Sequence, residues 1–118
     1  FIDAGNGGEY TLAWCIRRTT KACIFLREGR CSVYAHRPWI CRTYPFMLVD
    51  DELRVSECSG LGMPLSPPGA RDAAADLCGR QAAEAAEEAG IRAVYRRATV
   101  PPGKRAVIDS EGVKVLHG

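Results

Sequence analysis

Four cysteines within 36 residues carry the most distinctive chemistry of this chain. They are Cys23, Cys31, Cys41 and Cys58, and each is followed within a few positions by apolar residues, proline or glycine. Thiolates bind both zinc and iron–sulfur clusters, so the four cysteines together predict a metal site. Their spacing is unlike that of the common zinc modules, because seven, nine and sixteen residues separate them and no CxxC pair occurs. Each ligand must therefore come from its own loop or strand end.

Two other interpretations of the cysteines compete with metal binding. An isolated cysteine is often a small buried hydrophobe, but four in one arginine-rich segment punctuated by Gly and Pro make that interpretation less favoured. Six cysteines are also an even number that fits a disulfide framework. We rank disulfides lower, because 118 residues that are 47% hydrophobic can build a core without them. The remaining two, Cys15 and Cys78, are interpreted as spare or buried thiols and only secondarily as extra ligands.

The stretch from Cys23 to Gly62 also resembles a known family. It contains the strings CIFL, CSVYAHRP, CRTYPF and CSG in that order. This pattern is similar to the YkgJ-type cysteine-cluster family, which is described as zinc- or iron-chelating. The resemblance implies that the four cysteines are the ligands. Members of that family carry a CxxCxxCC block upstream, and none precedes Cys15 here, so we expect a further N-terminal segment or a protein partner to complete the site, or fewer thiolates to suffice.

Positive charge is concentrated around the same cysteines. Residues 15–44 contain seven Lys or Arg and one acid, although the whole chain has a formal charge of +2. A four-thiolate site holding zinc or a 4Fe–4S cluster has a formal charge of about −2, so nearby cations would offset it and donate hydrogen bonds to sulfur. We assign this role to Arg37 and Arg42. His36 is placed beside the metal or on the surface rather than among the ligands.

The basic patch allows a second interpretation, which is nucleic-acid binding. Its Lys and Arg residues are interleaved with Tyr34, Trp39, Tyr44 and Phe46. Such a surface would contact phosphates and stack on bases. Positive charge beside thiolates needs no nucleic acid to explain it, so we rank this interpretation below metal binding.

The elements that must position these residues are predicted to be short. Alternating residues predict a strand over Glu9–Ile16, with Trp14 in the core. Two hairpins follow, one from Cys23–Leu26 back to Cys31 and one from Phe46–Val49 back to Leu53–Val55. A third hairpin is predicted over residues 105–117, around a Ser-Glu-Gly turn.

One alanine-rich helix is predicted over residues 70–89. Met63–Gly69 is interpreted as a proline-rich linker before it, and Gly90 as the residue that ends it. The spacing of small residues predicts an inward face, on which Cys78 lies. That face comprises Ala74, Leu77, Cys78, Ala82, Ala85 and Ala89.

Together these elements predict an α+β fold: one small domain, 1–118, of short antiparallel hairpins plus the alanine-rich helix, organised around a metal-binding core at 23–62. The function expected is metal binding through an iron–sulfur cluster, which we favour slightly, or through zinc, with a redox or accessory-enzyme role. The alternative is a binding module that is stabilised by zinc and contacts nucleic acid or a protein partner. No signal peptide and no run of about 18 apolar residues is present, so we expect a cytoplasmic protein without a membrane partner.

Overall fold

Short strands and one long helix make up most of the secondary structure in residues 1–117, the part of the chain that this computed structural model describes. The strands are β1 (Ile2–Asp3), β2 (Glu9–Leu12), β3 (Leu26–Arg27), β4 (Arg30–Cys31), β5 (Phe46–Val49), β6 (Glu52–Val55), β7 (Arg105–Asp109) and β8 (Gly112–Val115). The α-helices are α1 (Trp39–Thr43) and α2 (Pro67–Tyr95). This arrangement confirms the α+β class predicted from the sequence.

Contacts divide the chain into two compact units. The first unit consists of Phe1–Ile24 together with the chain from Glu84 onward, and the second consists of Phe25–Ala83. The α2 helix contributes residues to both units. Three of the four predicted ligands, Cys31, Cys41 and Cys58, belong to the second unit, and Cys23 belongs to the first.

The first unit is built on a four-stranded sheet with the order β1-β2-β7-β8. The β7–β8 hairpin is antiparallel, as predicted, whereas β2 runs parallel to β7, with Glu9 opposite Arg105. The central strand β7 buries four consecutive residues, Ala106 to Asp109. A strand covered on both faces carries a continuous apolar run, and Ala-Val-Ile fits that rule. Ala106 and Ile108 form the core of this unit with Val100.

The second strand is shorter than the sequence predicts. It ends at Leu12 instead of Ile16, because Ala13 adopts a left-handed conformation with φ of 62° that turns the chain out of the sheet. Trp14 is consequently 61% exposed, so its predicted place in the core is wrong. The indole Nε1–H donates a 2.8 Å hydrogen bond to the Asp109 carboxylate instead.

The second unit contains the two other predicted hairpins. In the β3–β4 hairpin Leu26 lies opposite Cys31, and in the β5–β6 hairpin Phe46 lies opposite Val55. Both turns have two residues with positive φ, as type I′ turns require: 50° and 76° at Glu28 and Gly29, and 50° and 62° at Asp50 and Asp51. Both predicted hairpins are therefore present, although the first strand of one of them is Leu26–Arg27 instead of Cys23–Leu26.

The α2 helix begins earlier and ends later than the predicted range 70–89. It begins at Pro67, where Ser66 caps it by accepting a 3.1 Å hydrogen bond from the Gly69 N–H. Serine before proline is a favoured helix start, so this part of the predicted linker is helical. The helix also continues through Gly90 to Tyr95. Within residues 1–117 no helix combines the length and the apolar character that a membrane span needs.

The face of α2 that was predicted to point inward is largely exposed. Cys78 is exposed, and so are four of the alanines predicted to pack with it, Ala74, Ala82, Ala85 and Ala89. The polar side of the helix is the one that is covered, with Arg80 buried and Asp76 and Glu87 partly buried. The prediction failed because this helix is held by ion pairs and hydrogen bonds rather than by its small apolar residues.

Gly90 is needed for close packing rather than for ending the helix. A Cβ at this position would lie 2.6 Å from the Cβ of Ser110, in the turn between β7 and β8. Ser110 is further fixed to the helix by its hydroxyl, which donates a 2.6 Å hydrogen bond to Glu87. The first unit therefore depends on a residue without a side chain at this point.

We expect Gly90→Ala to lower the free energy of unfolding by about 1–2 kcal/mol. Overpacking costs about 1–3 kcal/mol, which exceeds the gain of about 1 kcal/mol from the higher helix propensity of alanine. Urea denaturation would measure the change. Adding Ser110→Gly removes the clashing atom, so the double variant should lose less than the sum of the two single changes. Strict additivity would contradict the packing role.

Trp14 makes the stability of the first unit dependent on pH. Its indole hydrogen bond lowers the pKa of Asp109 below 3.8, with help from the backbone N–H groups of Glu111 and Gly112. A carboxyl whose pKa is depressed on folding contributes stability above its ordinary pKa, and that contribution is lost as the pH falls through the folded pKa. Trp14→Phe should therefore flatten the decline in melting temperature between pH 5 and pH 3. An unchanged pH profile would contradict this assignment.

Candidate metal centre

The predicted ligands lie on different elements and are all free thiols. Cys23 forms an antiparallel bridge with Arg18, which closes a tight turn stabilised by hydrogen bonds between Thr19 and Ala22. Cys31 ends β4 and is partly buried, and Cys41 is exposed on α1. Each thiol therefore comes from its own strand end, helix or loop, as the spacing predicts.

Cys58 follows β6 and is partly buried. It borders a small cavity of about 170 Å³ whose walls are mainly apolar and include Phe46 and Leu61. Gly60 is close by, because a Cβ there would lie 3.7 Å from the Cys58 sulfur. Cys58 thus lies at the edge of a mainly apolar cavity.

A tyrosine ties the chain after Cys41 to the chain before Cys58. The Tyr44 hydroxyl donates a 2.6 Å hydrogen bond to the carbonyl of Glu57. The Ser56 N–H donates to the Pro45 carbonyl at 2.8 Å, which extends the β5–β6 hairpin toward α1. These bonds fix the backbone on the C-terminal side of one predicted ligand to the backbone on the N-terminal side of another.

The helix α1, which carries Cys41, is anchored by a buried arginine of α2. Arg80 is 7% exposed, and its Nη1 donates a 3.0 Å hydrogen bond to the hydroxyl of Thr43. That hydroxyl in turn donates to the Trp39 carbonyl at 2.8 Å. A buried guanidinium is costly to desolvate, so its hydrogen bonds must be kept for the unit to fold.

Two further contacts join α1 and α2 within the second unit. Arg42 forms a 2.7 Å ion pair with Asp76, and its guanidinium lies 4.8 Å from the ring centre of Trp39. Trp39 packs against the backbone of α2 at Gly79, where a Cβ would lie 2.8 Å from the indole. Arg42, which was predicted to lie near sulfur, is therefore engaged by a carboxylate and an aromatic ring.

The other two residues predicted to surround the metal precede α1. The Arg37 guanidinium stacks 3.9 Å from the ring centre of Tyr34, and its Nε donates a 3.0 Å hydrogen bond to the carbonyl of the same residue. His36 ends a short 3-10 turn and is exposed. The role of these side chains toward a metal remains a prediction.

Comparison with known proteins identifies the cysteine-rich part of the chain. Residues 6–63 match the CxxCxxCC family model, which is described as a putative zinc- or iron-chelating domain. This segment therefore resembles that family over 58 of the 118 residues of the chain. The resemblance seen in the sequence is thereby confirmed, and with it the coarse expectation of zinc or iron chelation. No curated protein and no solved structure matches the chain.

The CxxCxxCC segment contains all four predicted ligands and Cys15, whereas Cys78 lies outside it. Thiols suit zinc and iron in donor type. Their placement fits less well, because residues 1–117 contain no group of three or more His, Cys, Asp or Glu side chains arranged for a metal ion. The case for a metal therefore rests on donor chemistry and on the family match over residues 6–63 rather than on an assembled site.

Sequence analysis missed the residues of α2 that support the CxxCxxCC segment. Asp76, Gly79 and Arg80 lie outside the face that was predicted to point inward. Polar residues on a helix usually face water, and nothing in one sequence marks an arginine that will be buried against Thr43. The single available signal was the glycine inside a helix rich in alanine, since such a glycine often marks close packing.

We expect Arg80→Ala to lower the free energy of unfolding by about 2–4 kcal/mol, because it leaves the Thr43 hydroxyl without a donor and creates a cavity. Urea denaturation of the variant and the unchanged protein, purified in the same way, would measure this. Arg54→Ala is the matched control, since Arg54 is exposed and pairs only with an exposed Glu52, and its effect should stay within about 0.5 kcal/mol. Equal effects of the two substitutions would contradict the anchoring role of Arg80.

Proposed function

We propose that this chain binds iron or zinc through the thiolates of Cys23, Cys31, Cys41 and Cys58. The observation that carries the proposal is the family match over residues 6–63, which contains all four. The six cysteines are free thiols, so each of the four has a sulfur that is available as a ligand. A bound metal would supply charge and crosslinking between loops, and in a cluster it would also supply electron transfer.

The composition of the second unit supports a stabilising metal. Its buried residues within the described chain are Thr43 and Arg80, and neither is apolar. Large apolar side chains such as Ile40, Leu53 and Met63 are 55%, 55% and 74% exposed. Units of this size, with so little apolar surface buried, usually need a disulfide or a metal to remain folded.

The exposure of the thiols is consistent with ligands that gather as the metal binds. Metal affinity and folding are coupled in small metal-binding domains, since a preformed site rarely exists before binding. Cys23 and Cys41 are exposed, and Cys31 and Cys58 are only partly buried, so none is locked away inside a core. A further protein segment or a partner that donates thiolates would act in the same step.

An iron–sulfur cluster is the form we favour. Loops of seven, nine and sixteen residues between ligands suit a bulky cluster better than a single ion. The excess of Lys and Arg in residues 15–44 would offset the charge of about −2 on a four-thiolate cluster. A redox or accessory-enzyme role follows from such a cluster.

We expect each of the four single Cys→Ser substitutions to reduce the bound metal to less than half the level of the unchanged chain, because a serine hydroxyl is a far weaker ligand than a thiolate. Protein purified without oxygen would be analysed for iron, zinc and acid-labile sulfide per chain, together with its visible spectrum. Cys15→Ser and Cys78→Ser are the matched controls and should leave metal content unchanged. Unchanged metal in all four primary variants would refute the ligand set.

The metal identity decides between two functional classes. Iron with matching sulfide supports the cluster protein. Zinc without sulfide supports the second candidate, a binding module stabilised by zinc. The 64% exposure of Tyr34, which stacks with Arg37, and the 58% exposure of Tyr44 favour this candidate. Binding of such a module to nucleic acid would weaken steeply with salt.

A further inference from the structure

The first unit contains a cleft that is unrelated to the cysteines. Its volume is about 780 Å³, which is within the range of about 300–1,000 Å³ typical of small-molecule sites. It is located where the parallel strands β2 and β7 begin. The charged side chains that line it are Glu9, Arg17, Lys104, Arg105 and His117.

The cleft has an excess of positive charge. Arg105 is paired with Glu9 through a 2.6 Å contact between Nε and Oε2, and its guanidinium also lies 5.1 Å from the ring centre of Phe1. Within residues 1–117 neither Arg17 nor Lys104 has a carboxylate partner. Three cations around one carboxylate leave two positive charges in the cleft. Like charges in one concave site repel unless an anion offsets them.

Backbone hydrogen bonds fix the residues that carry these cations. The Lys104 carbonyl accepts a 2.8 Å hydrogen bond from the Glu9 N–H, and the Arg105 carbonyl accepts one of 2.8 Å from Leu116. The carbonyl of Arg17 accepts from Ile24 at 3.1 Å. The cations therefore come from separate, hydrogen-bonded segments rather than from one mobile loop. Gly7 and Gly103 also border the cleft and contribute only main chain.

We propose that this cleft binds a small anion that carries at least two phosphate groups, with Arg17 and Lys104 as its direct ligands. A diphosphate group has the charge to neutralise the two unpaired cations. The cleft is larger than a single phosphate requires and leaves room for an organic substituent. Nucleic acid is disfavoured, because the excess charge is confined to one concavity instead of following an extended strand.

Titration with inorganic pyrophosphate in a chloride buffer of matched ionic strength tests the proposal. Backbone amide signals of Gly7, Gly103 and Lys104 should shift saturably in the NMR spectrum of the full chain. Lys104→Gln and Arg17→Gln should each weaken binding about tenfold, the effect of losing one charge-assisted hydrogen bond. Arg92→Gln is the control, since it removes the same charge from an exposed ion pair on α2.

Equal affinity of the three variants would overturn the proposal, as would the absence of saturable shifts at the cleft amides. The proposal would also be overturned if pyrophosphate did not bind but a single-stranded oligonucleotide did, with all three variants reducing the affinity for the oligonucleotide alike. That result would assign the positive charge to nucleic-acid contact. Metal content does not enter these readouts, so the result is independent of the thiolate site.

Discussion

Close approach of the α2 backbone to its neighbours is the constraint on which both units depend. In the second unit the indole of Trp39 occupies the space where Gly79 lacks a side chain, and in the first unit Ser110 does so at Gly90. Glycine inside a helix costs about 1 kcal/mol relative to alanine. In a helix so rich in alanine, Gly79 and Gly90 mark the points in its interior where the backbone itself forms the packing surface.

The two units are stabilised by different interactions. The first has a small apolar core, in which Ala106 and Ile108 are completely or almost completely covered. The second is held by short-range polar contacts, of which the hydrogen bond between Arg80 and Thr43 is the most buried. Polar contacts contribute little net free energy because they replace contacts with water. The cysteine-rich unit is therefore the one that gains most from a bound metal.

The hairpins of this fold could be predicted from local sequence, whereas the side of the helix that is covered and the burial of its residues could not. The hairpins follow from turn chemistry, such as Asp50-Asp51 between two apolar runs, which acts over a few residues. The exposed side of α2 was predicted wrongly, because small apolar residues were expected to be covered and the burial of Arg80 depends on Thr43, 37 positions away. For the site, the resemblance to the family could be recognised from the sequence, because it depends on the cysteines and on the residues next to them. The positions of the four thiols in space depend on contacts that a single sequence does not encode locally.

The pairing of β2 with β7 makes the second unit an insertion within the first. Glu9 and Arg105 are neighbours in the sheet, so the chain between them forms a closed loop that includes Phe25–Ala83. Closing a loop has an entropic cost in free energy. This cost rises by about 0.6 kcal/mol for each doubling of the effective loop length. A metal that compacts the insert shortens this effective length. Stabilisation of the insert would thereby also stabilise the first unit, through chain entropy.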